Sequence, residues 1–209
     1  MPQITQWLGT TPRRLRTQLQ NDDSPEMRLR RTVVAANLIG IGAMTLTTLL
    51  QSGIVRQLPD PPIGNFKTKK VNSSDEAYSY GGPDSPINIA AHALNIILAT
   101  TGGPNRTHKH PWLPLLAASV AAPQAAVAAK YLFYQMPYVD RAWCPYCILD
   151  ALMHFANLAL TLPEAKKAAM FTGARPARRR RQSADATVRA TGNGRRRSAR
   201  RERRRRRTA

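Results

Sequence analysis

At 209 residues the chain has room for one domain and its tails. Lys and Arg number 32 against 12 acidic residues, a net charge of +20, but the excess is local: from position 173 onward 16 Arg face only Asp185 and Glu202. Two cysteines exclude a disulfide-built scaffold, though they suffice for redox chemistry. The negative mean hydropathy is partly a product of the Arg-rich end and conceals a body rich in Ala, Leu and Ile.

Residues 1–31 are basic and polar, and Asp22-Asp23-Ser24-Pro25-Glu26 reads as a turn into a helix start. The charged leader is long and no small-residue cleavage site follows the apolar run, so a secretory signal peptide is not expected. Thr32 to Val55 is 24 residues without a charge. That length crosses a hydrocarbon core of about 30 Å, and its Gly and Thr suit close helix packing. A buried soluble helix is the plainer alternative. Residues 56–85 form an outer loop, broken by Pro59, Pro61, Pro62 and Gly64 and neutral overall. A short second span covers about 86–103 and carries His92 and Asn95.

The third span, about 112–139, places Trp112 and Tyr138 where membrane interfaces favour them. Lys130 is the one basic residue inside the apolar stretches, followed by Tyr131, Tyr134 and Tyr138 at helical spacing. The fourth span, about 143–162, ends at Pro163-Glu164; Asp150 lies one turn after Cys147 and His154 one turn further. Residues 166–209 lack apolar periodicity and are expected to be disordered. Topology control and contact with anionic lipid are their expected roles. Nucleic-acid binding is not expected, because no folded nucleic-acid module precedes them.

The expected fold is an all-α membrane protein: a four-transmembrane-helix bundle over 32–165, flanked by 1–31 and the basic tail. With both termini inside, the inner pieces hold 26 Lys and Arg and the outer pieces five, a positive-inside bias. The expected location is a bacterial inner or plasma membrane, with the loop and the thiols on the extracytoplasmic, oxidising side.

Both cysteines lie in Ala142-Trp143-Cys144-Pro145-Tyr146-Cys147-Ile148. Two thiols are half a structural zinc site, and neither a second C-x-x-C nor finger-spaced histidines complete it; no metal is expected. Ile148 rather than His follows Cys147, which removes the haem-attachment pattern. A dithiol/disulfide pair remains, with Cys144 at the N-cap and Cys147 at N3, where the helix dipole favours a thiolate.

With these residues in place the chain resembles the vitamin K epoxide reductase family. The resemblance runs over about 32–165. It rests on the C-x-x-C at the outer start of the last helix, the aromatic Tyr131-Leu132-Phe133-Tyr134, and the loop pattern Val71-Asn72-Ser73-Ser74, Ala77-Tyr78, Gly82-Pro83 and Ile87. It implies a quinone-linked thiol oxidoreductase in which Cys147 reduces a quinone (ubiquinone or menaquinone, as substrate). Cys144 would close the disulfide and accept electrons by thiol–disulfide exchange. Most members carry a second, shuttle cysteine pair in the first loop. Here Thr68 stands where one shuttle cysteine belongs and 56–86 holds none, so an external periplasmic thioredoxin-like partner is expected to attack Cys144 directly.

Asp84, Asn88, Lys130, Tyr131 and Asp150 are the candidate quinone-pocket residues. Each has a plainer role: Asp84 as a helix cap, Lys130 as a snorkelling cation, Asp150 as a neighbour-helix bond, Tyr131 as packing. His92 and His154 read as interhelical hydrogen-bond partners. Three rival readings stay open: a soluble redoxin with a C-P-Y-C site, a non-enzymatic membrane scaffold or assembly protein, and a membrane-anchored nucleic-acid binder acting through the tail. The redoxin fits poorly, since one helix and a tail follow the motif where that fold needs alternating strands and helices.

Overall fold

The computed structural model describes residues 11–172. The chain divides into two units, Met1–Ala168 and Ala169–Ala209. The cavities and helices below lie in the first, save the last four residues of the final helix; of the second, only residues 169–172 are described, so the expectation for the basic tail lies outside the described residues.

Seven helices follow in order among the described residues. They are α1 (Pro12–Asn21), α2 (Pro25–Gln51), α3 (Thr68–Asn72), α4 (Asp84–Thr100), α5 (Arg106–Lys109), α6 (Trp112–Lys130) and α7 (Pro145–Thr172). A 3-10 turn covers Glu76–Tyr78, and α6 continues as π-helix over Tyr131–Asp140. No strand occurs among the described residues; one isolated bridge joins Phe66 to Trp143. Three helices are long and apolar enough to cross a membrane: Pro25–Gln51, Trp112–Asp140 and Pro145–Thr172. Helix α4, with 17 residues, is shorter than these.

Local chemistry explains the helix starts. Ser24 accepts a bond from Met27 N–H and Pro25 follows at N1, where a missing N–H is harmless. Helix α2 therefore begins at Pro25, inside the segment 1–31 that the sequence reads as separate. Its buried residues recur every three or four positions: Met27, Arg30, Val33, Ala36, Asn37, Gly40, Ala43, Met44, Thr47 and Leu50. Leu38, Ile39 and Leu46 on other faces are exposed, as a lipid-facing surface requires. Helix α6 buries Ala117, Ala121, Ala125 and Ala128 at intervals of four, four and three residues, a small-residue stripe that admits a neighbouring helix.

The connection over 56–85 carries α3 and the 3-10 turn within it. One expectation needs correction. The last helix does not stop at Pro163-Glu164 but runs to Thr172. Proline removes one backbone donor there, while Glu164 is pinned from two sides. Arg30 donates through Nη2 to Glu164 Oε1 at 2.7 Å, and Arg106 donates through Nε to Oε1 at 2.8 Å and through Nη2 to Oε2 at 2.6 Å. Arg30 Nε also donates to Glu164 Oε2 at 3.4 Å, and further guanidinium donors reach the carbonyls of Leu98, Thr101, Gly102 and Gly103. All three charged residues are buried. The cluster ties α2, α5, the turn after α4 and α7 together.

Removing Glu164 leaves two buried guanidinium groups with no counter-charge. Glu164→Ala is expected to destabilise the bundle by about 3–5 kcal/mol, read by thermal unfolding in detergent; Glu164→Gln should cost less. An unchanged unfolding temperature for Glu164→Ala would show that the cluster is dispensable.

Candidate active site

The π-helical end of α6 terminates at Arg141, whose φ of 49° is left-handed and turns the chain back. Trp143 then pairs with the loop: Lys67 N–H donates to Trp143 O and Trp143 N–H to Asn65 O, both at 2.9 Å. Tyr146 Oη donates to Pro59 O at 3.1 Å, and Asn65 Nδ2 donates to Arg141 O. These bonds lay the loop across the start of α7. Cys144 occupies the N-cap position, since α7 begins at Pro145, and its sulfur accepts from Cys147 N–H at 3.2 Å.

Cys144 and Cys147 form a disulfide with their Cα atoms 5.2 Å apart. Cys144 is 0 % exposed and Cys147 9 %. Cys144, the thiol that an external partner is expected to attack, is thus the more buried of the two. The loop bonds cover it, and Cys147 is the sulfur that opens onto space. Asn72, at the end of α3, donates through Nδ2 to Cys144 Sγ at 3.3 Å and to Cys147 Sγ at 3.6 Å. The sequence reading quotes Asn72 only as part of a loop pattern and assigns it no role. A polar amide directly after the apolar Val71 was the available signal.

Cys147 lines a cavity of about 590 Å³, within the size range of small-molecule sites. Asp84, Asn88, Lys130, Tyr131 and Asp150 all line it too, so the structure brings the five pocket candidates together with the thiol. Their settings differ. Asp84 opens α4 at its first residue, and its Oδ1 accepts from Gln51 Nε2 at 2.7 Å rather than capping the helix. Lys130 is largely exposed and pairs with Glu76 at 2.7 Å, which places its charge at the rim. Asn88 makes only a long contact to Met44 Sδ, at 3.9 Å. Asp150 and His154 follow Cys147 at intervals of three and four on one face of α7, which puts them in the same wall. A second cavity of about 220 Å³ lies against Arg30 and Glu164 and shares no lining residue with the first.

Behind that wall lies a buried polar chain. His92 Nε2 is 2.8 Å from Asp150 Oδ1, and His92 Nδ1 is 2.8 Å from Asn37 Oδ1. Asn37 Nδ2 donates to Val33 O and to Asn157 Oδ1, and Asn95 bridges Asn37 to Gln124. A Cβ on Gly40 would fall inside the His92 imidazole, so only glycine on α2 admits the ring there. His154 stacks on His92 with centroids 4.4 Å apart and planes 14° from parallel. His92, Asp150 and His154 each offer one ligand atom, and these lie within 4.8 Å of one another. The in-plane lone pairs of two stacked rings run nearly parallel and do not converge on one ion, so a metal would require one ring to turn.

A disulfide at a helix start, opening on a cavity between membrane-length helices, defines a multi-pass membrane protein equipped for thiol chemistry. The sequence pattern of the vitamin K epoxide reductase family matches residues 31–162. The chain belongs to that family, and with it to the membrane oxidoreductases. Compared with curated proteins and with solved structures, it gives no match.

The Asn72 contacts predict a measurable effect. When the disulfide opens, the same amide faces the thiolate, and a hydrogen bond to a charged sulfur is worth about 1.5 kcal/mol. Asn72→Leu should slow alkylation of reduced Cys147 by about tenfold. A rate equal to that of the unaltered protein would remove Asn72 from the site.

Proposed function

We propose that the protein transfers electrons from an extracytoplasmic thioredoxin-like dithiol to a quinone held in the Cys147 cavity, and so supports disulfide formation. The observation that carries this reading is the position of Cys147. It is the only cysteine in the cavity wall, and it shares that wall with the polar residues a quinone carbonyl needs. On this reading the membrane domain has four spans. Helix α4 serves as the second, and its 17 residues reach the lower end of spanning length. Both termini lie inside.

A thiolate of the partner attacks Cys144 Sγ, and the Cys144–Cys147 bond breaks. Cys147 leaves as a thiolate beside Asn72 Nδ2 and the N-terminus of α7. The partner's second thiol resolves the mixed disulfide. Cys147 then passes electrons into the cavity while Cys144 closes the disulfide again. The balance is a dithiol oxidised to a disulfide and a quinone reduced to a hydroquinone. Because Cys144 is covered, the partner must first displace the loop bonds at Lys67, Asn65 and Pro59. Asp84, Asn88 and Tyr131 would orient the quinone, while Lys130 stands at the rim.

Purified protein in detergent, given dithiothreitol, is expected to reduce ubiquinone or menaquinone analogues. Cys144→Ala and Cys147→Ala should abolish this, and Cys147→Ser should trap a mixed disulfide with an extracytoplasmic dithiol protein. Absence of turnover in folded protein with both thiols titratable would favour the scaffold reading instead.

A further inference from the structure

The polar chain behind the cavity has a proton count that its geometry fixes. Asn37 Nδ2 must face Val33 O, since an oxygen there would meet another acceptor. Asn37 Oδ1 therefore faces His92 Nδ1, which must carry a hydrogen to donate. In a neutral His92 that leaves Nε2 bare, 2.8 Å from Asp150 Oδ1. Two bare acceptors do not sit at that distance. One proton lies between them, as imidazolium with carboxylate or as imidazole with carboxylic acid. Either way the pair is electrically neutral, the form that a buried membrane site tolerates. Asn37 thus sets both the tautomer and the loading of the pair.

We infer that His92 and Asp150 are a proton store for the reaction in the Cys147 cavity, with Asp150 the catalytic donor and His92 its positioning residue. This rests on the quinone reading above. Asp150 lines the cavity and lies one turn from Cys147, whereas His92 is fully buried behind it. Quinone reduction breaks two S–H bonds, forms one S–S bond, and leaves two electrons and two protons on the two quinone oxygens. Those protons must travel from sulfur to oxygen. The pair gives one proton to one quinone oxygen as charge develops there and recovers one from the Cys144 thiol that closes the disulfide, while the proton that Cys147 sheds as it becomes a thiolate passes through the cavity to the other oxygen. The pair ends as it began.

Other titratable groups face the pair. On α7 these are Cys147 and His154, whose Nε2 is 3.6 Å from Asp150 Oδ2. Asp84 of α4 and Tyr131 and Lys130 of the α6 segment line the same cavity. Helix α2 presents Asn37, which does not titrate.

The test uses the full-length protein with its thiols reduced and excess reductant removed. It is mixed with a menaquinone or ubiquinone analogue over a pH range spanning neutrality, and single-turnover thiol oxidation is followed. The unaltered protein should show a rate nearly independent of pH, because its proton is internal. Asp150→Asn should be slower by about 100-fold or more, and its rate should fall as pH rises, because water must now supply the proton. His92→Gln should share that pH dependence at a smaller loss. Asp150→Glu should restore the flat profile. Variants as fast as the unaltered protein, or slowed equally at every pH, would overturn the inference while leaving the quinone reading intact. Failure of the unaltered protein to oxidise its thiols with quinone would overturn both.

Discussion

Glu164 stands between Arg30 and Arg106, and all three are buried. Charge buried among apolar helices is tolerated only when paired and hydrogen-bonded. That requirement fixes how α2 and α7 are rotated about their axes. The same rule operates further along these helices, where Asn37 meets Asn157 of α7 and His92 of α4. With the rotations settled at both levels, Cys147, Asp150 and His154 face one cavity. The chemistry of the site depends on polar pairing that lies outside it.

The thiol end obeys a different constraint. Backbone pairing at Trp143 and the cap made by Cys144 Sγ hold the loop and the start of α7 as one piece. Where the family resemblance puts a shuttle cysteine, Thr68 is buried, with Asp60 accepting its backbone N–H at 3.1 Å. The loop is anchored there by hydrogen bonds rather than by a second disulfide. Hydrogen bonds of that kind contribute about 1 kcal/mol each, so this anchorage is weak enough to open.

Much of this was legible beforehand. The uncharged run from Thr32 and the Ser24-Pro25 start announce α2, and the C-x-x-C places a cap and a thiol one turn apart. What composition could not supply was pairing across helices. Asn37 is one polar residue in an apolar run until His92 is set beside it. Pro163 reads as a stop because nothing local shows that Glu164 is clamped. The burial of Cys144 depends on a loop of four basic and four acidic residues, whose fold onto Trp143 has no periodic signature. Asp84, Asn88, Tyr131 and Asp150 could be gathered from family resemblance, but Asn72 required the sulfur geometry.

The most direct test of the account couples the thiols to the quinone pool. In membranes containing the protein and a dithiol donor, the redox state of Cys144 and Cys147 can be read by mass-tag alkylation while the pool is poised from oxidised to reduced. The account predicts that the disulfide fraction follows the oxidised fraction of the pool. A thiol pair whose state is indifferent to the pool would contradict it.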